Sequence, residues 1–114
     1  MPIYLNPELT IAQAGPALEQ EFRQCFGDEE YERLYRTVDL VAEEQSIDQE
    51  QQVLGIIILI GKTAKRGHLL LGLIWLAKKQ MSDPTAQEML EILRHRTVAQ
   101  VLRDARKAVQ ESEE

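Results

Sequence analysis

Two apolar runs decide the fold: Val53-Leu54-Gly55-Ile56-Ile57-Ile58-Leu59-Ile60-Gly61 and Leu69-Leu70-Leu71-Gly72-Leu73-Ile74-Trp75-Leu76-Ala77, separated by a stretch that carries Lys62, Lys65, Arg66 and His68. Each run is about half of the ~20 residues needed to cross a bilayer, so the pair reads as core and no membrane span is expected. A continuous apolar run hides its own period, and isoleucines favour strands, so a β-hairpin of 54–60 with 69–76 competes with two helices. The flanks favour helices. Ser46 with Gln49 makes a capping-box pattern upstream. Lys62, Lys65 and Arg66 suit the negative end of a helix dipole, and Gly67 is placed to end that helix. The second run is built on leucine rather than valine. The reading is a helix from 46 to about 65, then a central helix over 69–81.

Working outward, the punctuation stays helical. Asp83-Pro84 is a cap followed by a first-turn proline, opening a segment with Met89, Leu90, Ile92 and Leu93. Thr97 with Gln100 repeats the capping-box pattern before Val98, Val101, Leu102, Ala105 and Val109. These last segments are either a pair or one long helix. Upstream, Asp28 caps a helix whose Glu29, Glu30 and Glu32 favour the positive dipole end. Its apolar positions, Tyr31, Leu34, Tyr35, Val38, Val41 and Ala42, recur three and four apart. Pro16 opens the preceding helix, with Leu18, Phe22, Cys25 and Phe26 on one apolar face and Gly27 closing it. Asn6-Pro7 starts a short first helix that Gly15 ends. Gly55, Gly61 and Gly72 mark either close helix crossings or helix breaks. The fold class expected is all-α, a single domain over 1–114 built as a compact bundle of about six short helices.

Composition agrees. The chain has 114 residues, 44% of them hydrophobic and 28% charged, the mixture of a one-domain globular protein with a core. Disorder and collagen are excluded. With Cys25 as the only cysteine a disulfide scaffold is excluded too, and a lone thiol predicts a reducing, cytoplasmic setting. Met1-Pro2-Ile3-Tyr4-Leu5 has neither the basic flank nor the apolar run of a secretory leader. The net charge of -6 argues against a general nucleic-acid binder. That charge is divided unevenly. Residues 1–53 hold three cations and twelve carboxylates, a balance of -9, and residues 54–114 hold ten and seven, a balance of +3. Such asymmetry suits either docking to a complementary surface or an acidic face kept for solubility.

No motif announces chemistry. Gly61-Lys62-Thr63 ends like a phosphate-binding loop, but the first glycine of that motif would have to stand where Ile56 does, and the residues between are apolar. His68 and His95 have no second Cys or His at metal-ligand spacing, so no metal site is expected. Cys25 reads as a buried core thiol. Glu29, Glu30, Glu32, Glu43 and Glu44 fall on solvent-facing helical positions, where nothing separates their pKa values into an acid and a base. Trp75 reads as core, its rival being part of a groove for a partner helix. No catalytic residue, cofactor or small-molecule substrate is expected. Arg94, Arg96, Arg103, Arg106 and Lys107 form a candidate phosphate-contact face around His95. Asp104, Glu111, Glu113 and Glu114 dilute it and no aromatic residue joins it, so a solvated helix face is the default.

The order of residues over 17–85 resembles the effector-associated and other death-like domains of bacterial conflict and signalling proteins. The parallels are Ala17-Leu18, Phe22 and Phe26-Gly27-Asp28, then Tyr31, Leu34, Tyr35 and Leu40. They continue through Ile57-Ile58-Leu59-Ile60, Ala64, Gly67, Leu69, Leu73-Ile74, Ala77 and Asp83-Pro84. The resemblance covers about two-thirds of the chain and rests mostly on helix-core positions. This sequence differs in carrying Trp75 where the family's tryptophan would fall near Gly61 or Lys62. It implies a death-fold-like bundle and a non-enzymatic adaptor that binds a matching domain, with Glu29, Glu30 and Glu32 on one surface and Lys62, Lys65 and Arg66 on the other. The alternative function is a small helical subunit of a nucleoprotein complex, or an antitoxin-like partner, using the arginines of 94–107.

Overall fold

Six helices follow one another in the computed structural model, which describes residues 4–44, 46–62 and 65–113. They are α1 (Ile11–Phe26), α2 (Asp28–Glu44), α3 (Gln49–Lys62), α4 (Arg66–Lys78), α5 (Pro84–Arg94) and α6 (Val98–Ser112). The fold is all-α, as expected. Among the described residues there is no strand, only an isolated bridge between Thr10 and Thr97, so the hairpin reading of the two apolar runs is overturned. Met1, Pro2, Ile3, Thr63, Ala64 and Glu114, used in the sequence reading, lie outside the described residues.

Capping chemistry sets the boundaries, and in two places it differs from the expectation. α1 is one helix, not two. Thr10 Oγ1 accepts the Gln13 N–H at 3.2 Å while Gln13 Oε1 accepts the Thr10 N–H at 3.0 Å, a full capping box that starts the helix five residues ahead of Gly15-Pro16. Asn6-Pro7 forms a turn instead, with Asn6 Oδ1 accepting the Glu8 N–H at 3.0 Å. Pro16 sits inside the helix and Gly27, at φ 89°, ends it. The Gly27 carbonyl accepts from the Tyr31 N–H at 3.1 Å, so Asp28 is the first residue of α2 rather than its cap. α3 is capped by Asp48, not by Ser46: Asp48 Oδ1 accepts the Gln51 N–H at 2.8 Å and Gln51 Oε1 accepts the Ile47 N–H at 3.2 Å. That frees Gln49 to tie α3 to the start of α5, donating to Ser82 Oγ and accepting the Asp83 N–H, both at 2.8 Å.

The basic turn divides between two helices. Lys62 lies in the last turn of α3 as expected, but the helix ends there and not near 65: Lys65 is the N-cap of α4 and Arg66 opens it, so Gly67 lies in a first turn instead of following a last one. Asp83 caps α5 through the Ala86 N–H at 2.9 Å with Pro84 behind it, and Thr97 caps α6 through the Gln100 N–H at 3.2 Å. The last two segments are therefore a pair of helices. Thr10 and Thr97 lie side by side because Ile11 N–H donates to the Arg96 carbonyl at 3.0 Å and Val98 N–H to the Leu9 carbonyl at 2.8 Å.

α4 occupies the middle, packed against α1, α2, α3 and α5. Leu70, Leu71, Gly72, Leu73, Ile74, Trp75 and Leu76 are buried without interruption, which only a helix covered on every side allows. Each large side chain so buried contributes roughly 1.5–3 kcal/mol. Gly61 and Gly72 are crossings rather than breaks. A Cβ on Gly61 would stand 2.5 Å from the Ala105 carbonyl oxygen, so α6 can approach α3 only over a glycine. Gly55 faces open space instead, with only Ser46 Oγ at 3.8 Å.

The C-terminal end of α4 carries the largest correction. Arg94 was expected on a solvated cationic face, and it is 7% exposed. Its Nε donates to the Leu76 carbonyl at 2.9 Å, its Nη2 to the Lys79 carbonyl, and its Nη1 to Glu91 Oε1 at 3.0 Å. A guanidinium from α5 thus closes carbonyls that α4 leaves without an intrahelical partner. Arg94→Met is expected to cost about 1–3 kcal/mol. Arg96→Met, which breaks only the partly exposed Arg96–Asp104 contact at 2.8 Å, should cost less than about 1 kcal/mol. Urea denaturation of the two variants checks the difference; equal losses would contradict the capping role.

Candidate interaction surfaces

The corner where α1 turns into α2 collects charge and aromatic rings. Arg23 reaches Asp28 at 3.1 Å, Glu32 at 2.7 Å and Glu19 at 3.7 Å, and its guanidinium lies 4.2 Å from the Tyr31 ring centroid. Glu19 accepts the Tyr31 hydroxyl at 2.7 Å and the Lys78 ammonium at 2.9 Å, tying α1, α2 and α4 together. About two turns along α2 from Tyr31, Asp39 accepts Trp75 Nε1 at 3.0 Å and Lys79 Nζ at 2.7 Å. Trp75 is core, as expected, and its single polar atom is satisfied from α2.

These contacts set the protonation of the carboxylates. Burial opposes the ionisation of Glu19. The hydrogen bonds from Lys78 and Tyr31 and the charges of Lys78 and Arg23 outweigh it, holding the carboxyl below its usual range. Asp39 is likewise resisted by burial and held low by Lys79 and Trp75. Burial, followed by the charges of Asp39, Glu19 and Glu32, pushes the Tyr35 phenol up to about 12.

The candidate surfaces come out unevenly. Of the three acidic residues proposed for contact, Glu32 is tied to Arg23, and Glu30 takes Arg33 through a bidentate pair whose Nε contact is 3.1 Å. Glu29 is exposed and makes no ion pair among the described residues. Lys62, Lys65 and Arg66 are all exposed at the α3–α4 junction. The phosphate-contact set is split: Arg94 is buried, Arg96 is paired with Asp104, and Arg103, Arg106 and Lys107 remain exposed on α6. Spacing three and four apart puts those last three on one side of the helix.

Two expectations about α1 fail together. Cys25 is exposed rather than core, and Phe26 is 58% exposed. The apolar face of α1 runs through Ile11, Ala14, Gly15, Leu18 and Phe22, and Cys25 and Phe26 lie past its last buried turn. Leu40, Ile47, Leu54 and Ile92 are further large apolar residues left exposed, Ile47 in the α2–α3 connection and the others on helices that also carry core positions. A shallow cavity of about 230 Å³ lies where α1 crosses α4, lined by Gly15, Pro16, Glu19, Ile74, Ala77 and Lys78. A second, acidic cleft of about 430 Å³ is lined by Asp48, Gln49, Glu50 and Asp83. Among the described residues no group of three or more His, Cys, Asp or Glu side chains converges as metal ligands, and no helix is long and apolar enough to cross a membrane.

No family model matches the chain, and no curated protein or solved structure was found to be similar to it.

The carboxylate geometry predicts an acid-sensitive fold. Glu19 and Asp39 have folded-state pKa values below their unfolded ones, so their contribution is complete above the unfolded values and fades as pH falls through the folded ones. Stability measured in urea should therefore decline below roughly pH 4. The double variant Glu19→Gln, Asp39→Asn should be less stable at neutral pH and show a flatter decline. An unchanged acid slope would contradict this assignment.

Proposed function

We propose that this chain is a non-enzymatic protein–protein interaction module, an adaptor of the death-like kind that recruits an effector by homotypic contact in a bacterial conflict or signalling system. The observation that carries the reading is the placement of opposite charge on one bundle. α2 opens with Asp28, Glu29 and Glu30, whereas Lys62, Lys65 and Arg66 stand exposed where α3 gives way to α4. Between residues 51 and 82 the sequence has no carboxylate. Two different patches of opposite sign on one molecule favour head-to-tail contact, which closes into rings or extends into filaments. An exposed ion pair contributes only about 0–1 kcal/mol, so several must act together with apolar burial. The bundle supplies exposed apolar residues for that purpose, Phe26 and Leu40 among them.

The second reading, a small helical subunit of a nucleoprotein complex or an antitoxin-like partner, is supported by Arg103, Arg106 and Lys107 exposed along α6. It predicts binding to DNA or RNA that weakens steeply with salt.

Molar mass by light scattering tests the first reading. The mass should rise with protein concentration at low salt and return to 13.1 kDa at high salt. Lys65→Glu with Arg66→Glu should hold the protein at monomer mass with unchanged helicity. A wild-type monomer at every concentration would contradict homotypic recruitment.

A further inference from the structure

Two helices carry the long apolar runs, and only one of them is covered all round. α4 is buried without interruption over 70–76, whereas α3 buries Val53, Ile56 and Ile60 on one side. Ile57 and Leu59 pack against the core from the edges of that side. Opposite it lie Gln51, Leu54, Gly55, Ile58 and Lys62, three and four residues apart and therefore on one face. Leu54 is 48% exposed there. Ile47, whose N–H is held by Gln51 Oε1 at 3.2 Å, is 98% exposed at the start of the same face. A helix that is apolar on every side belongs between neighbours, yet this one turns leucine and isoleucine outward.

Gly55 stands in the middle of that face. A glycine in mid-helix weakens the helix and is retained where another chain segment must come close. Gly15, Gly61 and Gly72 meet that condition within the molecule: a side chain there would run into Ala77, Ala105 and Ile60 respectively. At Gly55 the nearest atom to where a Cβ would stand is Ser46 Oγ, at an ordinary contact distance of 3.8 Å.

The charges on the face select what covers it. Asp48, Gly55 and Lys62 are spaced seven apart, two helical turns on either side of the glycine. A copy of α3 laid antiparallel, glycine on glycine, sets its own Lys62 against Asp48 and its own Asp48 against Lys62. The face is complementary to itself in that one register.

We infer that the outer face of α3 packs antiparallel on the α3 of a second copy of this chain, crossing at Gly55, with Leu54 and Ile58 around the crossing and Asp48 paired with Lys62 at both ends. This inference rests on the homotypic reading above. α3 has 14 residues and is about 21 Å long. A contact confined to one pair of such helices falls short of the roughly 1,000 Å² of a stable interface, so it holds no dimer alone. Copies already joined head to tail present α3 repeatedly, and the weak contact then acts many times at once. A two-fold contact added to a head-to-tail one pairs two rings, or two filaments, back to back.

The mass of the assembly at low salt tests this, read by native mass spectrometry for rings and as mass per unit length in scanning transmission electron microscopy for filaments. The variants are Gly55→Gln, Leu54→Gln and, as a control on α5, the similarly exposed Ile92→Gln, each checked for helicity. Gly55→Gln enters open space and should fold, and it should lower the mass, or the mass per length, to about half by separating the pairs. Leu54→Gln should raise the concentration needed for pairing on the order of tenfold. Ile92→Gln should change neither. Assemblies of unchanged mass with Gly55→Gln would overturn the α3 contact and leave head-to-tail recruitment standing. Halving by Ile92→Gln as well would also overturn it, showing a general loss of apolar surface. A wild-type monomer throughout would overturn both.

Discussion

A helix buried on every side must dispose of its polar groups without water, and that requirement organises the molecule around α4. Its apolar side chains are covered by α1, α2, α3 and α5, but its last carbonyls have no intrahelical donor. The Arg94 guanidinium reaches in from α5 to the carbonyls of Leu76 and Lys79, and Lys79 N–H closes on the Trp75 carbonyl at 2.9 Å. The one polar atom of the Trp75 side chain is met by Asp39 from α2. A hydrophobic replacement of this buried cation leaves the carbonyls open, and unpaired buried polar groups cost more than their bonds return. The 79–83 connection, α5 and the C-terminal end of α4 are thus held as one piece.

Lys78 at the end of the same helix and its C-cap Lys79 reach outward to complete the α1–α2 corner. Lys78 pairs with Glu19 and approaches two tyrosine rings, and Lys79 pairs with Asp39. Both ion pairs are partly covered and share their carboxylates with an aromatic donor, Tyr31 in one case and Trp75 in the other. The surface that carries Phe26, Asp28 and Glu29 therefore stands on a braced support rather than on a loop. That is a suitable basis for the proposed docking role, since a preorganised face loses less conformational freedom when a partner lands.

Much of this was legible in the residues, and the failures have physical causes. Runs of leucine and isoleucine flanked by caps and cations gave away the helical class, and the uninterrupted apolar stretch ending at Ala77 marked the central helix. Asp83-Pro84 and Thr97 announced their helices because cap chemistry is local. Gly15-Pro16 looks like a boundary, but Thr10 with Gln13 is the stronger signal and sets the start of α1. Asp48 with Gln51 likewise prevails over Ser46 with Gln49 at the start of α3. Arg94 could not be recognised locally: its partners are carbonyls 15 and 18 residues away, and backbone acceptors leave no mark on side-chain pattern. Phe26 and Cys25 were assigned to the core by helical spacing, but α1 outruns the elements that would cover its last turn. Glu29, Glu32, Lys62, Lys65 and Arg66 are exposed as their helical positions suggest, yet only the folded structure reveals that Glu30 and Glu32 are already bound to arginines.

Native-state amide hydrogen exchange tests the central role of α4 most directly. The amides of residues 70–76 should exchange only by global unfolding, at the slowest rate in the chain, with a free energy equal to that from denaturant unfolding. Faster exchange of these amides through local opening, while α1 or α6 stays protected, would contradict the account of α4 as the element on which the rest depends.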